Sequence, residues 1–260
     1  MKALCQLLIL IILFMSYSAK AAYTVIVDPG HGGEDRGAIS YLQVKTASGK
    51  IVKQAVYEKD VVLQIATKVH QQLIQMRYKS YLTRSLDRYI TLQHRADLAD
   101  QVQADLFISI HLNSALTSLA TGFETYYLDN HTDAAVRKVE EVENRALKGD
   151  ELVIQQILID LVVERTAKTS RVLANAIHQK VSKGSGKLFK MTDRHVRPGM
   201  FYVLALAKRP AVLVESGFMS NQSDLKKLLD PKFQNQLALD IAVGIDAFMQ
   251  SRQKKGPALF

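Results

Sequence analysis

Tyr23-Thr-Val-Ile-Val-Asp28-Pro-Gly-His31-Gly-Gly33 is the stretch from which the rest of the chain can be read. Thr24 to Val27 is a short apolar run rich in β-branched residues, the pattern of a buried strand. It stops at Asp28-Pro29-Gly30, because proline has no ladder donor and glycine permits positive φ. His31 is therefore expected at the carboxyl end of a core strand, the edge at which open α/β sheets form their sites.

Outward from this strand, elements alternate. Glu34 to Tyr57 is polar, with Ser48-Gly49-Lys50 as a turn between two short extended pieces. Glu58-Lys-Asp60 opens a helix whose Val62, Ile65, Ala66, Val69 and Leu73 recur at helical spacing, with acidic residues suited to the helix dipole. Ser80 to Thr83 reads as a strand and Thr91 to Val102 as a helix. Asp105 to Ile110 reads as a strand buried on both faces, and Gly122 to Leu128 as a fourth strand. Thr132 to Ser182 is helical in pattern, ending at Gly184-Ser-Gly186. Phe201 to Leu206 and Ala211 to Val214 read as strands. A last helix is capped by Asp230, has Pro231 in its first position, and carries Phe233, Leu237, Ile241, Ile245 and Phe248 as its core stripe. The class is α/β: a twisted, mostly parallel sheet flanked by helices, in one catalytic domain over residues 22–251. Residues 252–260 are expected to be a frayed tail.

The chain has 260 residues, 48% of them hydrophobic, with a formal charge of +9. That charge suits an anionic partner, but no basic run interleaved with aromatics points to nucleic acid. Residues 1–21 have the form of a signal peptide: Lys2, an apolar run from Leu4 to Met15, and Ala19-Lys20-Ala21 as the cleavage site. The run falls short of the roughly 20 residues that span a bilayer, so no stable membrane anchor is expected. Cys5, the single cysteine, lies in this leader, which leaves the mature chain without thiol chemistry. Loss of Lys2 and Lys20 leaves a net charge of +7. Export to the periplasm or cell envelope is the expectation.

Four polar groups share one position in this plan. His31 follows the first strand, His111 follows Leu106 to Ile110, Glu215 follows Ala211 to Val214, and Glu58 begins a helix. Two imidazoles and a carboxylate are a common ligand set for a catalytic zinc ion, and a second carboxylate can take a proton from water.

Val27-Asp-Pro-Gly-His31-Gly-Gly, Glu58-Lys-Asp60, Ser109-Ile-His111-Leu-Asn113 and Val214-Glu215-Ser-Gly-Phe218-Met-Ser-Asn221 together resemble the signature blocks of the zinc-dependent N-acetylmuramoyl-L-alanine amidases of the amidase 3 family. Thr83-Arg84, Asp87, Arg95 and Phe201-Tyr-Val-Leu204 agree with it, whereas Leu112 and Val196-Arg197-Pro198-Gly199 depart from its common wording. The resemblance implies that His31, Glu58 and His111 hold Zn²⁺ and that Glu215 is the catalytic carboxylate. The substrate it implies is peptidoglycan, cut between the lactyl group of N-acetylmuramic acid and the L-alanine of the stem peptide. A zinc hydrolase of another amide or ester, or a silent wall-binding module, is the alternative on the same fold.

Asp28 and Asn113 are candidates to orient the histidines, against readings as a turn cap and a loop hydrogen bond. Arg194 and Arg197, expected in a loop, are candidates for a stem-peptide carboxylate. His131 and His195 fall in loops, where contact with substrate is the lesser reading, and His70, His94 and His178 fall inside helices, with surface or packing roles. Some members of the resembled family carry a helix that plugs the zinc site until a partner withdraws it. Here Thr132 to Gln156 is acidic, but the connection on to Ile154 is short. It is therefore read as a solvated helix face, on a monomer that needs no activator protein.

Overall fold

The computed structural model describes residues 23–144 and 151–253. The expected leader over 1–21, with Cys5, and the part of the expected tail beyond 253 lie outside the described residues.

The apolar runs become the middle of a six-stranded sheet. Its strands are β1 (Thr24–Pro29), β4 (Lys79–Leu82), β5 (Leu106–Asn113), β6 (Phe123–Leu128), β7 (Asp193–Gly199) and β8 (Ala211–Phe218), in the order β4-β1-β5-β8-β6-β7. Every neighbouring pair is parallel except β6 against β8. β2 (Ile39–Lys45) and β3 (Ile51–Tyr57) form a separate antiparallel hairpin around the expected turn.

Alternate residues of the strands feed two cores, as the two-residue period of a strand requires. Val25, Val27, Ile108, Ile110, Val212 and Val214 pack with helices α1 (Glu58–Gln75), α4 (Glu151–Val181) and α7 (Pro231–Gln253). All five residues of the expected stripe on the last helix are buried there. Ile26, Phe107, Tyr126 and Leu213 face the other way. They pack with Ala99 of α2 (Leu92–Gln101), Val136 of α3 (Ala134–Glu143) and Val203 and Leu204 of α5 (Tyr202–Leu206). A further short helix, α6 (Gln222–Leu228), is capped by the Asn221 side chain, which accepts from the Ser223 and Asp224 amides. Among the described residues no helix is long and apolar enough to cross a membrane.

Three expectations need correction. Phe201 to Leu206 is not a strand: Tyr202–Leu206 turns as a helix, and so short an apolar run carries no period that separates the two. The sixth strand is instead the polar Asp193–Gly199, which carries Arg194, His195 and Arg197. It lies at the sheet edge, where Pro198 is tolerated and one side needs no apolar residues. His111, Asn113 and Glu215 do not follow their strands but lie within them, because both ladders continue past the apolar run into buried polar positions. Helix α4 also does not simply end at Gly184. It runs into a π-type turn over Ser182–Gly186, where Asp240 accepts from the Ser185 amide.

Candidate metal centre

The centre lies where β1, β5 and β8 deliver their carboxyl ends. His31 follows β1 with φ 57, a left-handed conformation that costs a non-glycine residue energy and clusters at functional sites. The loop is held from beneath by two buried arginines. Arg84 donates to the Pro29 and Gly30 carbonyls, and Arg95 to those of Pro29 and His31. Gly30 has to be glycine, since a Cβ there would come within 2.3 Å of the His111 ring.

His111, on β5, brings its ring to 4.9 Å from that of His31, edge to face. Glu58, the first residue of α1, points back between them. Its Oε1 lies 3.1 Å from His31 Nε2 and 3.3 Å from His111 Nδ1. The carboxylate is fixed by backbone amides, Leu112 donating to Oε1 and Ala38 to Oε2. A fourth group joins from α3: Glu143 Oε2 is 2.9 Å from His111 Nδ1 and 3.6 Å from His31 Nε2. One ligand atom from each of these four residues lies within 4.8 Å of the others.

These atoms fit a metal ion. His31 Nε2 and His111 Nδ1 are buried without a hydrogen-bond partner, each aimed at carboxylate oxygens. Burial disfavours a charged imidazole, but Glu58 and Asp35 together push the His31 pKa well above its usual range. Glu143 and Glu58 likewise outweigh burial at His111 and raise it to about 10. The same pairing holds the Glu58 carboxyl well below the carboxylate range despite its burial. Mutual attraction of this kind is what a cation between the groups replaces, with loss of the imidazole protons.

Glu215 stands beside the cluster, paired in register with His111 on one side and Glu124 on the other. It is fully buried, and neither carboxylate oxygen has a hydrogen-bond partner. Burial, then the Glu143 carboxylate, push its pKa well above the usual range. A basic, unengaged carboxylate is suited to accept a proton.

The candidates for orienting the histidines occupy different places from those expected. His31 Nδ1 is bonded to Asp35 Oδ2 at 2.9 Å, a residue the sequence reading passed over. Asp28 reaches His31 only through Arg95. Its carboxylate takes the Arg95 guanidinium at 2.6 Å and the hydroxyls of Thr83 and Ser109. The Asn113 amide donates to Glu124 at 3.3 Å rather than to an imidazole. Arg194 and Arg197 are on β7 and both face Glu124, at 2.7 and 3.5 Å. His131 is in a loop as expected, but its Nε2 meets Glu140 of α3. His178 is a buried packing residue between Thr125 and Asp193.

Segment 132–156, read as a solvated face, is not one over its described part. Val136 is buried, and Glu140 accepts from the Met200 amide. The Asn144 side chain donates to the Met200 carbonyl and accepts from the Tyr202 amide. The helix is thus fastened along β7 and α5, and its last residue enters the centre.

The Asp28–Arg95 pair gives a measurable consequence. Burial raises the Asp28 pKa, but Arg95 and the Thr83 and Ser109 hydroxyls outweigh it and hold the carboxyl below its usual value. Asp28→Asn leaves Arg95 buried without its counter-charge and is expected to cost about 3–5 kcal/mol near neutral pH. A depressed native pKa gives stability that is complete above the unfolded value of about 3.9 and is lost as pH falls through the native one. Urea unfolding of both proteins should therefore show a gap that narrows only in that acid range. Equal midpoints at neutral pH would remove the pair from the account.

Residues 25–247 match the family model described as N-acetylmuramoyl-L-alanine amidase. Over 233 residues the chain is 33% identical to N-acetylmuramoyl-L-alanine amidase AmiA of Escherichia coli K12, covering 86% of this chain and 75% of that protein. It is 32% identical over 234 residues to AmiC of Escherichia coli O6:H1, covering 86% of this chain and 52% of AmiC, so it spans about half the length of that relative. The crystal structure of N-acetylmuramoyl-L-alanine amidase from Clostridium difficile 630 superposes with a TM-score of 0.64 at 30% identity, covering 89% of this chain and 98% of that one.

Proposed function

The chain belongs to the N-acetylmuramoyl-L-alanine amidase family, and from that premise we propose that it is a zinc-dependent peptidoglycan hydrolase cutting the bond between N-acetylmuramic acid and the L-alanine of the stem peptide. The observation that carries the reading is the pair of buried, unpartnered imidazole nitrogens facing Glu58, with an unpartnered Glu215 at their side. His31, Glu58 and His111 are the proposed ligands, and the signal-peptide form of the sequence over 1–21 supports action outside the cytoplasm. When bound, zinc supplies Lewis acidity, polarising a carbonyl and acidifying water.

The remaining work belongs to side chains. Asp35 fixes the His31 tautomer, and the amides of Ala38 and Leu112 fix Glu58. Glu215 takes the proton of the attacking water and returns it to the departing amine. Glu143 belongs to a helix rather than to the sheet edge. We read it as an occluding group whose helix must withdraw before substrate enters.

Digestion of purified peptidoglycan, with products weighed by mass spectrometry, tests the reading. Free stem peptides beginning with L-alanine are expected. Products that keep the peptide on muramic acid would defeat it. In metal analysis, His31→Ala and His111→Ala should each lose stoichiometric zinc and Glu58→Ala should bind it weakly, while far-UV circular dichroism stays native. Wild-type zinc in His111→Ala would refute the ligand set.

A further inference from the structure

Polar residues of four neighbouring strands form a row on one face of the sheet. Register places His111 of β5 beside Glu215 of β8, and Glu215 beside Glu124 of β6. β7 comes next, and there the pairing jumps from Phe123↔Asp193 to Thr125↔Val196. Arg194 and His195 together therefore oppose Glu124 alone, with His195 at φ 72. This is a β-bulge, a device that re-aims a side chain beside a site.

What the bulge re-aims is Arg194. Its guanidinium lies over the Phe218 ring at 5.1 Å, and its Nε donates to Glu124 Oε1 at 2.7 Å. Glu124 is only 2% exposed and is held in place by the Tyr126 hydroxyl at 2.8 Å. One buried carboxylate thus faces two guanidinium groups. Arg197 also donates through Nη1 to a second carboxylate, Asp133, whereas among the described residues neither Nη of Arg194 donates a hydrogen bond. Arg194 lines the same groove of about 1160 Å³ as His31 and His111. It is a preoriented cation with its outer edge unengaged.

We propose that Arg194 is a specificity-determining residue that captures a free carboxylate on the peptide side of the scissile amide, one residue beyond the alanine. This rests on the amidase reading above. Adjacent strands are about 4.8 Å apart, so the guanidinium, held over the Glu124 position, is about one strand spacing from the Glu215 position. In an extended peptide the second residue lies about 7 Å along the chain from the first amide. A stem peptide whose second residue is a γ-linked D-glutamate offers its α-carboxylate there, and a hydrogen bond of about 2.9 Å spans the remainder beyond the guanidinium. Amidation to isoglutamine keeps the shape and removes the charge.

The test uses two soluble muramyl tripeptides that differ only in this carboxylate or carboxamide. Each is given to the zinc-loaded mature chain and to its Glu143→Ala form. The carboxylate substrate should have the higher kcat/KM by about 10- to 100-fold, the range of a hydrogen bond to a charged group. Arg194→Ala should bring the ratio to about one, chiefly by slowing the carboxylate substrate, and Arg194→Lys should restore part of the preference. Equal rates for wild type on the two substrates would overturn the proposal. So would an Arg194→Ala variant that slows both alike, the signature of a structural role. Peptide release from neither substrate in any form would instead overturn the amidase reading itself, and this proposal with it.

Discussion

Glu215→Gln is expected to leave the protein folded and zinc-loaded while lowering its peptidoglycan-cleaving rate by about 10²- to 10⁴-fold, the usual loss when a general base is removed. Glu215 lies on β8, beside His111 in register, yet neither of its oxygens is engaged by a donor. A buried carboxylate without partners is costly, and native structures tolerate one where function uses it. The amide of glutamine keeps the volume and cannot take the proton. Because Glu215 is not among the four groups that converge, metal content should stay at one equivalent. Equal activity in a zinc-loaded Glu215→Gln would remove it from the chemistry. Loss of zinc along with activity would make it a ligand instead.

Legibility followed burial. β1, β5 and β8 are buried along their whole length, so their apolar runs stood out, and His31, His111 and Glu215 were found because they end those runs. Glu58 was visible as the acidic start of an amphipathic helix. β7 was invisible because an edge strand with half-exposed arginines has the composition of a loop. Asp35 was missed because its role depends on a reversal of the chain at Gly32 to Gly37. Gly37, at φ 62, permits this turn, and a Cβ there would come within 2.6 Å of both Glu58 and His31. Asp28 misled for a related reason. It precedes His31 by three residues, but the strand directs its carboxylate onto Arg95, 67 residues away, and not onto the ring.

Glu143 did leave a signal in the sequence. Val136, Val139, Glu140, Glu143 and Asn144 recur at helical spacing, and they are the covered side of α3, while Arg137, Lys138 and Glu141 are exposed. A glutamate that continues an apolar stripe calls for a buried partner, and here the partner is the metal centre. Glu143→Ala is accordingly expected to raise the rate of the purified chain on peptidoglycan. One hydrogen bond to a charged group is worth about 1.5–3 kcal/mol, so its loss should increase the open fraction by about 10- to 100-fold where the closed form dominates. Asn144→Ala, which removes the tie to Met200 and Tyr202, should raise the rate by less, because Glu143 still seats the helix. Glu141→Ala, on the exposed side, serves as the control and should match wild type. The decisive pairing is rate with zinc content. If Glu143→Ala loses zinc and activity together, Glu143 is a resident ligand and α3 a fixed part of the site. If it keeps zinc and gains rate, the carboxylate blocks a centre complete without it, and a partner that draws α3 off the Met200–Tyr202 segment would switch the enzyme on.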